Sequence, residues 1–150
     1  MALSKGTKAP DFSLPSTDGT QFKLSDHHNE PLLIYFYPLD FTPGCTKEAC
    51  SFRDNFEFFK NADIKVYGIS TDSIEKHLKF KEKHKLPFDL LSDQSKKVSK
   101  LYDAVIPFVG ISKRVTYLLD ANHTIVGVYD NLFGYEKHIE EMIKQVNKNN

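Results

Sequence analysis

The sequence holds two cysteines, Cys45 and Cys50, with four residues between them. Thr42 can cap a helix that starts here, and Pro43 suits the first helical position because its missing N–H is not needed there. Cys45 is therefore predicted to lie in the first turn of a helix. Backbone N–H groups and the helix dipole favour a negative charge at that place, which a reactive thiolate requires.

The spacing of the two cysteines leaves two alternatives open. In an intact helix, five residues correspond to about 140° of rotation and about 7.5 Å of rise, so the two Cα atoms would lie about 8.7 Å apart. A disulfide needs Cα atoms closer than about 7 Å. Either Cys45 and Cys50 never pair, or their pairing requires local unwinding of the helix.

Cys45 also begins a stripe of apolar residues at helical spacing. Such a stripe is expected to face the core, which would place Cys45 at the sheet-facing end of its helix, in a semi-enclosed pocket. Its members are Cys45, Ala49, Phe52, Phe56 and Phe59.

The remaining elements predict an α/β fold with a mixed sheet covered by helices on both faces. Continuous apolar runs predict strands, and amphipathic patterns predict helices, one of them with Ser73 as N-cap and one with Ile139, Met142, Ile143 and Val146 on its apolar face. A small N-terminal hairpin is expected around Asp18-Gly19. The predicted hairpin strands are 12–14 and 21–24, the central strands are 31–37, 65–70, 115–119 and 124–128, and the helices are 42–61, 73–85, 94–102 and 135–147.

Length and composition predict the number of domains and exclude some classes of partner. The 150 residues contain no repeat or linker and predict one domain spanning 1–150. Basic and acidic residues are both 20, which gives no electrostatic argument for nucleic acid or a membrane as partner. The absence of a long apolar run predicts a soluble, cytoplasmic protein. None of the six histidines has the spacing of a zinc site, so no metal is predicted.

Only two of the basic residues are arginines, Arg53 and Arg114. Arginine offers a planar fork of five donors, so each of them calls for a specific explanation. Arg53 is expected to pair with Glu57, four residues further along its helix. Arg114 is expected to make a forked contact with a charged group.

The segment Pro38-x-x-x-Thr42-x-x-Cys45 resembles the active-site motif of the peroxiredoxins, and the Cys-x-x-x-x-Cys spacing resembles their atypical two-cysteine subgroup of the bacterioferritin comigratory protein type. The resemblance extends from about Pro10 to Val146 and includes Arg114 ahead of a predicted strand. It implies a thioredoxin-like fold and a thioredoxin-dependent hydroperoxide reductase.

The resemblance also implies a role for each matching residue. Cys45 would attack the peroxide and become a sulfenic acid, and Cys50 would resolve it as an intrachain disulfide. Thr42 would hydrogen-bond the thiolate or the peroxide, Arg114 would stabilise the negative charges, and Pro38 would shield the site from water. A thioredoxin-type dithiol would reduce the disulfide. No cofactor or metal is implied, and the chain is expected to be a monomer.

Two other functions use the same cysteine pair. A protein thiol–disulfide oxidoreductase is one, although that chemistry is usually built on Cys-x-x-Cys. A redox sensor is the other, in which unwinding would change a surface that a partner binds. Insulin reduction would indicate the first, and a stable oxidised form with little turnover would indicate the second.

Overall fold

Five strands form the central sheet, in the order β5-β4-β3-β6-β7, and two more form an N-terminal hairpin. β3 runs parallel to β4, and β4 runs parallel to β5. β6 is antiparallel to both β3 and β7, so the sheet is mixed, as predicted. The strands are β1 (Ser13–Pro15), β2 (Gln21–Lys23), β3 (Leu32–Phe36), β4 (Lys65–Ser70), β5 (Asp89–Ser92), β6 (Val115–Leu119) and β7 (Ile125–Asp130).

The structure is a computed structural model, and it describes residues 2–106, 110–132 and 134–149. Among these residues no helix combines the length and the apolar character needed to cross a bilayer. The α-helices are α1 (Pro43–Asp54), α2 (Phe56–Asn61), α3 (Ile74–His84), α4 (Lys97–Leu101) and α5 (Tyr135–Asn149), and a short 3₁₀ helix spans Leu24–His27.

The sheet separates two hydrophobic cores, because alternate residues of a strand point to opposite faces. Leu33 and Tyr35 of β3 contribute to one core, which they share with α1, α2, α3 and α5. Leu32, Ile34 and Phe36 contribute to the other, which they share with the N-terminal hairpin and α4. The central strand is therefore buried on both faces, which explains why it reads as a continuous apolar run.

The helix predicted for residues 42–61 is two helices, because the chain leaves the helical path at Asn55. The Asn55 backbone has φ −106° and ψ 12°, and its side-chain Nδ2 donates to the Ser51 carbonyl at 2.8 Å. Such a local bond from asparagine competes with helical hydrogen bonding. The apolar stripe nevertheless continues across the break, since Cys45, Phe52 and Phe59 are all buried.

Other differences from the sequence predictions are smaller. The predicted helix at 94–102 is shorter, because Lys96 has a left-handed backbone with φ 66° and the helix starts after it. Strand β5 was not predicted, since its four residues carry only two apolar side chains between Asp89 and Ser92. Ser73 caps α3 as predicted, with its side chain accepting from the Lys76 N–H at 3.2 Å.

The strand register brings distant parts of the sequence to one edge of the sheet. Phe36, the last residue of β3, pairs with Val115, the first residue of β6. Val115 in turn pairs with Asp130 at the end of β7. The loop that leads from β3 into α1 therefore lies next to Arg114 and to the segment that follows β7.

We predict that Phe52→Ala lowers the free energy of unfolding by about 3–5 kcal/mol. Phe52 is fully buried, and its ring stacks on Tyr35 with centroids 4.5 Å apart. Phe58→Ala is the matched control, because Phe58 is only half-buried, and it should cost clearly less. Urea unfolding of the reduced proteins measures both; an equal loss would contradict this account of the core.

Candidate active site

Cys45 is the third residue of α1, with Thr42 at the N-cap position and Pro43 at the first helical position. It is 1% exposed and forms part of the core between α1 and the sheet. Both cysteines are free thiols. The structure thus brings the Cys45 sulfur to the positive end of a helix, at the edge of the sheet where β3 ends.

Arg114 contacts this sulfur through one terminal nitrogen of its guanidinium. Its Nη2 donates to Cys45 Sγ at 3.2 Å, its Nη1 donates to Glu48 Oε1 at 2.7 Å, and its Nε donates to the Leu132 carbonyl at 2.9 Å. Arg114 is buried, so these bonds are little weakened by solvent. A lysine could not make three such contacts in one plane.

The guanidinium is also held from its face. The ring of Tyr135, the first residue of α5, lies with its centroid 4.7 Å from Arg114 Cζ in a cation–π contact. This placement requires glycine at position 44, because a Cβ atom on Gly44 would come within 2.6 Å of the Tyr135 ring. Sequence reasoning identified neither Gly44 nor Tyr135.

Glu48 is the second acidic group, after the Cys45 thiol, that accepts a hydrogen bond from Arg114. It too was not predicted from the sequence. It is fully buried, and within the described residues its Oε2 has no hydrogen-bond partner. Burial raises its pKa to about 7, although the charge and hydrogen bond of Arg114 act in the opposite direction. The available signal was a charged residue three positions after Cys45, beside an otherwise apolar stripe.

His138 closes the site behind Glu48. Its Nε2 donates to the Asn131 carbonyl at 2.7 Å, and its Nδ1 accepts from the Thr116 hydroxyl at 2.8 Å, roles we assign from the bonding network. Burial lowers its pKa to about 4, so the ring is neutral at pH 7. Its Nδ1 lies 3.7 Å from Glu48 Oε2, which is too long for a hydrogen bond.

The loop between β3 and α1 carries the other two predicted site residues. Pro38 is half-buried at the end of the strand. Thr42 occupies the predicted N-cap position with an extended backbone, but its hydroxyl donates to the Leu39 carbonyl at 2.9 Å and does not cap the helix. Between them, Phe41 has φ 64°, a conformation that costs a non-glycine residue about 1–2 kcal/mol.

A network of buried polar side chains holds this loop in place. Asp40 accepts from the Tyr37 hydroxyl at 2.5 Å, and its other oxygen lies 2.6 Å from His77 Nδ1. The Asp40 N–H donates to Asp72 Oδ2 at 2.7 Å. Asp40, Asp72 and His77 are types of residue that bind metals, but each carboxylate oxygen named here already has a protein partner. We therefore interpret the cluster as a support for the loop.

Cys50 lies half-buried on another side of α1, away from Arg114. Its Sγ is 3.9 Å from Nδ1 of His84, the last residue of α3. Arg53 donates from Nη1 to the His84 carbonyl at 2.8 Å and from Nε to Asp54 at 3.0 Å, instead of pairing with Glu57 as predicted. The two thiols therefore occupy separate environments in the same helix.

These positions define what the site can do. A buried sulfur beside a helix N-terminus and a guanidinium is suited to exist as a thiolate, which is the nucleophilic form of cysteine. The same guanidinium can stabilise a negative oxygen that develops next to the sulfur. Because both cysteines lie in one continuous helix, a disulfide between them requires part of α1 to unwind.

Comparisons with known proteins show which family this chain belongs to. The AhpC/TSA family pattern matches residues 5–128. The chain is 48% identical to the chloroplastic peroxiredoxin Q of Oryza sativa subsp. japonica over 143 residues, which are 95% of this chain and 66% of the rice protein. This chain thus spans about two thirds of the length of that relative.

Two solved structures are similar over most of both chains. The peroxidoxin BcpB of Mycobacterium tuberculosis has a TM-score of 0.89 and 32% identity, with 96% of each chain covered. The bacterioferritin comigratory protein of Xanthomonas campestris has a TM-score of 0.80 and 30% identity, with 89% of this chain and 90% of that chain covered. Structures of trapped intermediate and ligand complexes address the alkyl peroxide reduction activity of the Xanthomonas protein.

We predict that Glu48→Gln changes the pH dependence of stability. The folded protein holds the Glu48 proton up to about pH 7, whereas the unfolded chain releases it near 4.5. Glu48 therefore stabilises the fold most below pH 4.5, and this contribution is lost as the pH rises to 7, by up to about 3 kcal/mol. Glutamine has no such dependence, so the variant should gain stability relative to the native chain between pH 5 and pH 8.

Urea unfolding of the reduced proteins at pH 5 and pH 8 measures this difference. Glu57→Gln is the matched control, because it removes an exposed carboxylate from the neighbouring helix. If Glu48→Gln and the native chain keep the same stability difference at both pH values, the buried carboxyl does not hold its proton as described.

Proposed function

Because this chain belongs to the AhpC/TSA family and to its peroxiredoxin Q type, we propose that it is a thiol peroxidase that reduces hydrogen peroxide and organic hydroperoxides. The observation that carries the proposal is the 3.2 Å contact between Arg114 Nη2 and Cys45 Sγ in the first turn of α1. Reduction of a peroxide by a thiol needs an anionic sulfur and donors for the leaving oxygen, and the Arg114 guanidinium can stabilise the negative charge on both.

In the first step, the Cys45 thiolate attacks the terminal oxygen of the peroxide. An S–O bond forms, the O–O bond breaks, and the leaving alkoxide or hydroxide takes up one proton to become alcohol or water. Arg114 stabilises the negative charge on sulfur before the attack and on the leaving oxygen after it. We assign the Thr42 hydroxyl to a hydrogen bond with the thiolate or the peroxide, and Pro38 to shielding the sulfur from water.

In the second step, Cys50 resolves the sulfenic acid on Cys45. The Cys50 thiolate attacks the Cys45 sulfur, an S–S bond forms, and the S–O bond breaks with loss of hydroxide, which becomes water. Because the two cysteines share α1, this step requires the helix to unwind locally. The loss of charge on the oxidised sulfur favours this, since Arg114 then binds a neutral group in place of an anion.

A dithiol of the thioredoxin type would complete the cycle by reducing the disulfide, which oxidises the dithiol in turn. The monomeric state and the cytoplasmic compartment stay predictions from the sequence, and the rice relative is chloroplastic. In the described part of this chain, four large hydrophobic side chains are exposed. They support the monomer because they lie on separate elements and loops. They are Phe41, Leu78, Leu101 and Leu132.

We predict that Cys45→Ser abolishes peroxide reduction and that Cys50→Ser permits one stoichiometric oxidation without turnover. The first variant has no nucleophile, whereas the second forms the sulfenic acid but has no internal thiol to resolve it. Stopped-flow peroxide consumption with a thioredoxin system measures turnover, and intact mass with a dimedone trap identifies the product. Undiminished turnover by Cys45→Ser would rule out the assignment.

We also predict that Arg114→Lys slows the oxidation of Cys45 by about 100-fold or more, because a lysine ammonium cannot serve the sulfur, Glu48 and Leu132 together. Lys47→Ala is the matched control, since it removes an exposed positive charge from the same helix. Quenched-flow mixing with one equivalent of peroxide, followed by alkylation and mass analysis, gives the rate. Equal losses in both variants would mean that only general charge matters.

A further inference from the structure

His84 makes a polar contact with Cys50, and the proposed cycle gives this contact no role. The Cys50 sulfur lies 3.9 Å from His84 Nδ1, within hydrogen-bonding range for sulfur. Arg53, three residues after Cys50, donates to the His84 carbonyl at 2.8 Å. This bond ties the end of α3 to the last turn of α1, so it keeps the imidazole beside the thiol.

Aromatic side chains fix the plane of the imidazole. The His84 ring centroid is 5.0 Å from that of Phe80, which is fully buried, and 6.4 Å from that of Phe41. Phe41 and Phe80 also pack edge to face, with centroids 5.1 Å apart. The histidine is thus built into a cluster that presents Nδ1 to Cys50.

The surroundings of His84 favour the neutral form of its ring. The groups that act on it are Cys50 and Arg53 on α1 and Lys83 on its own helix, and Lys85 follows it directly in the chain. Partial burial, together with Lys83 and Arg53, lowers the pKa of His84. A neutral imidazole with Nδ1 facing a thiol can accept the proton of that thiol.

We propose that His84 is the general base that deprotonates Cys50 for the resolving step. The inference rests on the proposed function, because it assigns a group to the second step of that cycle. The Cys50 proton moves to His84 Nδ1, and the thiolate attacks the Cys45 sulfenic acid. The S–S bond forms, the S–O bond breaks, and the departing hydroxide receives a proton from the imidazolium, either directly or through solvent, to become water.

The position of the two cysteines in α1 lets this contact persist during the step. Cys45 is the third residue of the helix and Cys50 is the eighth. Unwinding of the first turns therefore moves Cys45, whereas Cys50 stays on the helix beside His84. Positioned bases typically accelerate proton transfer by about 10²–10⁴-fold, so removal of this one should be readily measured.

The test compares the native chain with His84→Phe, which keeps an aromatic ring against Phe80 and loses the base. His28→Phe is the matched control, because His28 is exposed on a distant loop. Reduced protein is mixed with one equivalent of hydrogen peroxide and quenched at intervals. Intact mass with dimedone then separates the formation of sulfenic acid on Cys45 from the closure of the disulfide.

We expect unchanged formation of sulfenic acid in all three proteins. Closure in His84→Phe should be at least about 10-fold slower at pH 6.5, with the difference shrinking at pH 9, where a thiol ionises without help. Equal closure rates at pH 6.5 would overturn the role of His84 while leaving the peroxidase intact. If the native chain formed neither sulfenic acid nor disulfide, the proposed function would be refuted, and the inference with it.

A second measurement keeps the inference testable if His84→Phe folds poorly. In a Cys45→Ser background only Cys50 can react, so its alkylation by iodoacetamide reports thiolate formation without any peroxide chemistry. Adding His84→Gln, which fits the same space, should slow alkylation several-fold at pH 7 and leave it unchanged at pH 9. Identical rates at pH 7 would overturn the inference, since Cys50 would then ionise independently of His84.

Discussion

The rest of the site depends on how one buried guanidinium is shared between two acidic groups. Arg114 donates to the Cys45 sulfur and to the Glu48 carboxylate through its two terminal nitrogens. A buried anion needs a compensating charge, and one cation cannot fully compensate two. Burial keeps the Glu48 carboxyl protonated to about pH 7, so below that pH it does not compete as an anion for the guanidinium. The strand register sets this geometry, because Phe36 at the end of β3 pairs with Val115 at the start of β6. The loop that leads to Cys45 therefore lies beside Arg114.

Because Arg114 is shared between Cys45 and Glu48, the oxidation state of the sulfur affects the fold around it in the proposed cycle. When Cys45 becomes a sulfenic acid, its sulfur loses the charge that binds it to Arg114. Glu48 and the Leu132 carbonyl remain as acceptors, so the guanidinium stays in place after the sulfur is released. Tyr135 supports it from the face of its plane. The site therefore survives the departure of Cys45, which a repeated cycle requires.

The sequence predicts the parts of this arrangement that depend on local patterns. The central strand, β4 and β6 follow from continuous apolar runs, and the start of α1 follows from Pro43, although the predicted side-chain cap by Thr42 is wrong. The rarity of arginine pointed to Arg114. The only local signal for Glu48 was a charge beside the apolar stripe of α1, and its contact with Arg114 arises from packing between elements. His138 had no local signal, because its role arises from packing of α5 against β6 and α1. His77 was placed on a lysine-rich helix, yet it is fully buried against Asp40 of a loop 37 residues away.

The composition of α1 indicates which end of the helix can open. Its first turn contains Gly44, which costs about 0.8–1.0 kcal/mol more than alanine in a helix. The Thr42 hydroxyl bonds to Leu39 and leaves the first helical N–H groups without a side-chain cap. The following turns are anchored by Ala49 and Phe52, both fully buried. The weakest part of the helix thus carries Cys45 and the firmly packed part carries Cys50, so oxidation should free the former while the latter stays in position to attack.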